Sequence, residues 1–593
     1  MILGRTASSS RGLHRGAVLA LLTLAGVSLG QQPVRAATIT VNSTADNTTA
    51  HDAQCTLREA IANVNAGHDT SGGDCTAGTG SGDTIVFSLS LPATITLTTN
   101  TELEIDTSVT INGPTTGVLA VDGNGKVDVF DITNGTVSIT NLTIQNGLGS
   151  AGGGIYNDAT LTLTSCTLSG NSGDDGGGLY NDVDATLTLT NCTLSGNSAP
   201  NDLGGGGVYS DGTLTLTGCT LNGNSGVDGG GVFNDVDGTA TLTNCTLSGN
   251  SALNDVGGGG VYSDGALTLT GCTLSGDSGV DGGGVYNDID GTATLTNCTL
   301  SSNSAPDDVG GGGVYSDGAL TLTGCTLSGN SATDGGGVYD DVDGTVTLTN
   351  CTLSGNSATG SDFGGGGLYN DGTVALTNCT LNGNSAPSSN GGGLYNDSDG
   401  MATLINTIVA NSPSGQNCAG TGIEEGDHNL SSDATCFLSS ELLSTDPHLA
   451  PLANYGGPTA TLALCTAEGS PDPSCSGPSP AIDAGDDSVT APPLNLSTDQ
   501  RGRPRKWGLH VDIGAYEAQQ ATTPMCVGDC DGHGQVALDD ILTMVNIALG
   551  NAGLWVCELG DSNKDGLITV DEILTAVNNA LNGCDGNGGN PGE

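Results

Sequence analysis

The chain has 593 residues, 99 of them glycine, and sets 11 lysines and arginines against 64 aspartates and glutamates for a formal net charge of −53. So acidic a surface repels nucleic acid and anionic membranes and favours divalent cations. Low hydrophobicity with high charge can also mark disorder, but a strict internal repeat excludes that reading for most of the chain.

The first element, residues 1–36, reads as a signal peptide. Arg5, Arg11 and Arg15 precede an apolar run from Ala17 to Val27, and Val34 and Ala36 are placed for an A-x-A-like cut. The run is too short for a membrane span. Residues 1–36 hold four basic residues and no acid, so their removal leaves seven basic residues against 64 acidic ones. No later segment has the roughly 20 apolar residues of a membrane helix. The expectation is a secreted protein, extracellular or at a cell surface. In that compartment clustered cysteines pair, and the candidate pairs are Cys55–Cys75, Cys418–Cys436 and Cys465–Cys475.

Residues 37–110 hold an N-terminal cap and the first strands. Gln54 to Asn63 predicts a short helix, with Thr56 and Glu59 as a capping box and Leu57, Ala60 and Ile61 as its apolar face. This run resembles the CSLREA motif of bacterial surface β-helix proteins, with Thr56 in place of Ser. The resemblance implies a structural cap; Arg58 as a ligand anchor is the alternative.

Residues 111–412 are dominated by self-similarity. A cysteine recurs at 166, 192, 219, 245, 272, 298, 325, 351 and 379, at intervals alternating between 26 and 27 residues until a last one of 28. Leu142 and Asn406 are assigned to the same column. The alternation implies a two-coil unit of 53 residues. In one coil Leu187 and Leu189 alternate with Thr, Asn191 breaks the pattern, and Cys192 and Leu194 resume it. Two short strands joined by an Asn bend follow, and the Gly-rich stretch and Asn-Asp turn close the loop. One such coil cannot bury its apolar face, but a stack can. Tyr180 to Tyr395 form an aromatic column, and Asp182 to Asp397 an acidic column beside it. The acids either make turns and keep the surface soluble or collect calcium; the cysteines form a buried thiol ladder. A leucine-rich repeat is excluded, because no helical period appears. The run Gly-Gly-Gly-Val-Tyr with Leu-Ser-Gly-Asn-Ser-Ala resembles the repeats of bacterial polymorphic outer-membrane-protein and pectate-lyase-like β-helices, with Leu where the former carry Phe. The fold class expected is all-β: a right-handed parallel β-helix, or solenoid, with capping regions and a small α-helical C-terminal domain.

Residues 413–518 change character. Leu449 to Pro458, Ser479 to Gly485, Asp499 to Arg505 and Asp512 to Glu517 together resemble the choice-of-anchor Q region of bacterial surface proteins, which implies a C-terminal cap before an attachment module. Arg501, Arg503, Arg505 and Lys506 with Asp499 and Asp512 are either ion pairs tying this cap together or a site.

Residues 519–584 carry the sharpest motif. Asp561 to Glu572 matches an EF-hand calcium loop: Asp561, Asn563 and Asp565 supply oxygens at positions 1, 3 and 5, Leu567 its carbonyl, Thr569 position 9, and Glu572 both carboxylate oxygens. Gly566 permits the sharp turn, and Ile568 packs on the partner loop. That loop begins 32 residues earlier. It offers Asp529, Asp531, His533, Gln535 and Asp540, with Asp540 replacing Glu and His533 where oxygen is normal, so weaker Ca2+ binding is expected there. Each loop runs into an amphipathic helix, Ile541 to Leu549 and Ile573 to Leu581. Two loop–helix units resemble a type I dockerin, which implies a cohesin-like partner or cell-surface component; Leu538-Asp539 and Val570-Asp571 stand at the partner-choosing positions. Cys526, Cys530, Cys557 and Cys584 suggest two disulfides, with a zinc site as the alternative. Residues 585–593 are expected to be a disordered tail.

The sequence leans against catalysis and leaves a polysaccharide-acting glycoside hydrolase as the enzyme class still open. A uronate lyase needs a base, commonly Arg or Lys, yet none lies between Val127 and Gln500, and no His lies between His68 and His428. A glycosidase needs only two carboxylates about 5–10 Å apart, but Asp recurs in every coil and no coil is unique. The favoured function is a secreted, non-catalytic, calcium-binding surface, structural or adhesin-like rod, attached or docked through its dockerin-like module and serving adhesion, envelope structure or carbohydrate contact. The alternative is a polysaccharide-degrading enzyme targeted by a dockerin.

Overall fold

The computed structural model describes residues 35–583 except 202–203, 254–255, 307–308, 361–363, 388–389, 427, 437–441, 468, 520–525, 531–534 and 564. Nearly all of the expected signal peptide, with Asp531, His533, Gly534, Cys584 and the tail, lies outside the described residues.

Three parallel sheets of 15, 13 and 14 strands run side by side. One coil contributes one strand to each, as in Leu179–Asn181, Thr186–Thr190 and Thr193–Ser195. The strand over Leu179–Asn181 corrects the sequence reading, which placed only loop closure there. Three residues bracketed by Gly and Asp carry too short an alternation to signal a strand by themselves, yet pairing with neighbouring coils defines one. Register is maintained residue on residue: Thr186 pairs Thr213, Leu187 pairs Leu214, and so on.

The alternation decides what is inside. Leu187, Leu189, Cys192 and Leu194 are at most 1% exposed, while the intervening Thr side chains face outward. Burying each leucine contributes about 1.5–3 kcal/mol. All nine repeat cysteines are free thiols in this core. The corner after the first long strand is left-handed. Asn191, Asn244 and Asn297 hold it at φ 51–53°, and Gly218, Gly271 and Gly324 at φ 62–65°. That alternation of Asn and Gly is the two-coil duplication seen in backbone geometry. The Gly runs serve closeness instead: a Cβ on Gly206 would lie 2.5 Å from the Gly230 carbonyl oxygen of the next coil. Asn406 sits on Asn378, its Nδ2 donating to Asn378 Oδ1 at 3.1 Å, and Thr407 follows Cys379 in the thiol column. The 28-residue last intervals shift the count by one and correct the assignment of Asn406 to the cysteine column.

The predicted N-terminal helix is α1, Leu57–Ala66, with the Thr56–Glu59 capping box formed and a left-handed Gly67 at its end. Leu57, Ala60, Ile61 and Val64 join the core of the first coils. Arg58 is committed to structure: it donates to Asp46 Oδ1 at 2.6 Å and to the carbonyls of Glu102 and Thr101, both at 2.8 Å. The disulfides Cys55–Cys75, Cys418–Cys436 and Cys465–Cys475 are formed as expected. No helix among the described residues is long and apolar enough to cross a membrane.

Residues 449–518 lie along the flank of the late coils. Thr459 Oγ1 donates to the Gly324 carbonyl, Asn350 Nδ2 to the Thr498 carbonyl, and the Ala515 N–H to Thr380 Oγ1. Gln500 Nε2 reaches the Cys325 carbonyl at 3.2 Å and its Oε1 accepts from Thr352 at 2.6 Å. Contact with this region takes Thr326, Thr352 and Thr380 to at most 1% exposure. The basic cluster holds it together. Arg501 is buried, donates to Asp499 Oδ2 at 2.6 Å, and lies 3.6 Å above the centre of the Tyr516 ring. Arg505 is fully buried and donates to the carbonyls of Asp512 and Gly514.

Two outcomes are expected. Arg501→Ala strands Asp499 in a buried site and should lower stability by about 3–5 kcal/mol, read as a shift in the denaturation midpoint; an unchanged midpoint would show the pair to be dispensable. Thiol titration should find the nine repeat cysteines unreactive in the native chain, and reactive once it is unfolded.

Candidate functional site

The C-terminal module is built from two similar halves. Helix α2 spans Leu538–Ala548 and α3 spans Val570–Asn582. In the second half, Glu572 Oε1 accepts from the Ser562 N–H at 2.9 Å and Oε2 from the Thr569 N–H at 2.8 Å. In the first, Asp540 Oδ1 accepts from the Cys530 N–H at 3.0 Å and Oδ2 from the Ala537 N–H at 2.7 Å. Each twelfth-position carboxylate thus joins the start of its loop to its end. Although burial opposes ionisation, the donors on Thr569, Asn563 and Ser562 hold the Glu572 carboxyl below the usual range.

Asp561 turns inward and accepts from the N–H groups of Asp565 at 3.1 Å and Gly566 at 2.8 Å. Asn563 Oδ1 accepts from the Asp565 N–H, and Asn563 Nδ2 donates to Asp565 Oδ2 at 3.1 Å. Gly566 takes the left-handed φ of 84° its turn requires. Asp561 and Glu572 are buried, as are Asp529 and Asp540, whereas Asn563, Asp565, Leu567 and Gln535 are exposed and Thr569 is half-buried. Among the described residues no three His, Cys, Asp or Glu side chains are gathered as for a metal; the loop oxygens face backbone N–H groups. Val536 and Ile568 meet in a core with Met544, Ile547 and Ala576. Cys530 and Cys557 form a disulfide, and Cys526 is disulfide-bonded too, so these thiols are not available as zinc ligands.

The sequence reading marked Leu538 and Val570 as partner-choosing positions but missed the apolar stripes to which they belong. Leu538, Leu542 and Leu549 on α2 and its end are 72, 55 and 69% exposed, and Val570, Leu574 and Leu581 on α3 are 70, 59 and 78% exposed. The spacing i, i+4, i+11 puts each set on one helix face, and the two sets match across the 32-residue offset of the halves. Amphipathic periodicity alone assigns such residues to a core; only the fold shows them outside.

On the coils the aromatic column is a continuous stack. Ten rings from Tyr156 to Tyr395 lie 4.7–5.4 Å apart, within 9° of parallel. Tyr156, Tyr262 and Tyr369 donate to Asp182, Asp288 and Asp397 of the following coil at 2.6–2.8 Å. The same acids accept a turn N–H, as Asp182 Oδ1 does from Val183 at 2.8 Å. Asp211 and Asp317 lie between them; burial and then repulsion by neighbouring acids push each up to about 6. This is the turn-making role anticipated for the acidic column.

The right-handed β-helix region model matches residues 93–262 and 230–430, together more than half of the chain. The chain belongs to the right-handed β-helix family. Among solved structures it is similar to the pectate lyase Pel9A, at 13% identity and a TM-score of 0.28, over 81% of this chain and 96% of that one. It is also similar to a mannuronic acid specific polysaccharide family 6 lyase from human gut microbiota, at 10% identity and a TM-score of 0.29, over 61% and 84%. Neither likeness bears on chemistry here. A search of curated proteins finds no match.

Within this right-handed β-helix the sequence reading also missed an internal amide ladder. From Asn171 to Asn384 one Asn per coil points inward. Each donates Nδ2 to the next at 2.9–3.1 Å, as Asn197 does to Asn224 and Asn330 to Asn356. The signal in the sequence was the one break in the Asn column, Asp277 within Gly276-Asp277-Ser278. Asp277 Oδ1 accepts from Asn250 at 2.9 Å, but its fully buried Oδ2, where an amide would donate, has no partner. Burial pushes this carboxyl up to about 7, against the opposing hydrogen bonds from Asn250 and Ser275. Between 3.8 and about 7 the folded chain therefore keeps a proton that the unfolded chain releases. The stability that this proton supplies is full at the acid end and falls as pH rises, by up to about 1.4 kcal/mol per unit. Asp277→Asn restores the donor, so its gain in denaturation midpoint over the native chain should grow from acid to neutral pH. A gain independent of pH would show Asp277 ionised in the folded state.

Proposed function

We propose that the chain is an exported, non-catalytic rod held outside the cell through a calcium-binding, dockerin-like C-terminal module of the EF-hand type. The observation that carries this reading is the pair of matching apolar stripes on α2 and α3. Six large apolar side chains kept in water on two related faces are the mark of a protein-docking surface, and a cohesin-like domain or other cell-surface component is the partner proposed.

Calcium fits the donor set. Residues 526–583 hold nine acids and one lysine, and the loop oxygens are the hard donors the ion prefers. Asp561, Asn563, Asp565, the Leu567 carbonyl, Thr569 and Glu572 would hold one ion. Asp529, Asp531, His533, Gln535 and Asp540 would hold a second more weakly. Bound calcium would neutralise the inward carboxylates and stiffen the loops that set the angle of α2 and α3. Nucleic acid and a membrane span have no place in this reading, and carbohydrate contact belongs to the coils.

The full chain titrated with calcium by calorimetry should bind it, and Glu572→Gln should weaken the stronger site by about tenfold or more. Leu542→Glu with Leu574→Glu should keep calcium and lose capture by a cohesin panel. No calcium-dependent heat would remove the reading. Release of reducing ends or unsaturated uronates from a glycan panel would replace it with the enzyme alternative.

A further inference from the structure

The aromatic stack has an N-terminal end, and that end opens into a cleft. Tyr156 stacks on Tyr180 on one side, with centroids 5.4 Å apart. In the preceding coil the residue paired with Tyr156 is Asp131, not a ring. Tyr156 and Asp131 line a cleft of 410 Å³ with Glu102, Lys126 and Asp128. That volume lies within the range of small-molecule sites and far exceeds a bare ion.

The lining is short of positive charge. Three carboxyl groups face one ammonium, and Lys126 is the last basic residue before Arg501. Asp131 Oδ1 is buried and takes no hydrogen bond. Burial, with Glu102 and Asp131 nearby, pushes Asp128 up to about 7; burial, with Glu102, Glu104 and Asp158, pushes Asp131 up to about 6. Gly149 leaves the Asp128 carboxylate its place, since a Cβ there would lie 2.0 Å from Asp128 Oδ1. The later coils put a ring in this column, so the cleft is a break in the repeat.

We propose that this cleft binds a glycan unit carrying a free primary amine, with the sugar ring laid on Tyr156 and the ammonium held by Glu102, Asp128 and Asp131. A ring terminating a stack offers an apolar, electron-rich face to a pyranose and a nearby cation. Acidic groups that outnumber their one counter-charge select an amine over an amide and repel uronates. The field of the acidic coils draws a polycationic glycan toward the cleft. The site is independent of the C-terminal module, and calcium or cohesin binding there neither requires nor excludes it.

Calorimetry on the full chain at neutral pH and physiological salt tests it, with glucosamine, N-acetylglucosamine and galacturonate trimers. The free-amine trimer should bind and the other two should not. Tyr156→Ala and Asp131→Asn should each weaken it by about tenfold, Tyr156→Phe should retain it, and Asp397→Asn, at the far end of the ladder, should leave it unchanged. Thermal melts of each variant verify folding. Equal affinity for the amine and N-acetyl forms would overturn the proposal. So would a Tyr156→Ala chain that binds like the native one, since the amine would then be held only by the general negative field.

Discussion

In-register parallel stacking is the constraint on which everything else in this molecule rests. Because strand lies on strand with no shift, each residue of a coil meets its own counterpart one strand spacing away. A choice made once is therefore made along the whole stack. Leucine on leucine builds a dry core, ring on ring an aromatic column, and amide on amide a chain in which one Nδ2 after another finds the next Oδ1, as from Asn171 to Asn197 and on to Asn224. Glycine on glycine lets successive backbones approach where any Cβ would collide.

The same constraint makes like charges costly. An acid in every coil faces an acid above and below, and the structure relieves this in alternation. Asp182, Asp288 and Asp397 take a tyrosine hydroxyl and a turn N–H, while Asp211 and Asp317 between them are pushed toward protonation. Asp277 meets the same difficulty inside the core, where no water can help. Columns suit an acidic chain only while hydrogen-bond donors or protons are supplied to them.

Where stacking stops, other devices take over. The first coils are sealed by α1, a capping box and a disulfide, and Arg58 pins the helix to the carbonyls of Thr101 and Glu102. The late coils are covered along their flank by a segment knit by buried Arg501 and Arg505. The C-terminal module has too few residues for a large core and relies on disulfides, loop-to-helix carboxylates and one small cluster around Met544. Its unburied leucines and the cleft below Tyr156 are places where the molecule leaves surface unfinished, and both binding proposals are anchored there.

Much of this was determined by the sequence alone. Period-2 alternation and a fixed cysteine interval dictate stacked coils, because no single coil can bury its leucines. Cysteines ten to twenty residues apart outside the regular repeat pair locally, and Thr56 with Glu59 announces α1. Other features depend on what lies alongside. The strand at Leu179–Asn181 exists only through its neighbours, the position of Asn406 depended on a one-residue count, and Leu542 and Leu574 look like core until the fold leaves them in water. The cleft joins Glu102, Asp128 and Tyr156 from three successive coils, and no linear spacing reveals that meeting. Local pattern is written in one coil, whereas burial, exposure and the company of charges are decided only when coils are laid against one another.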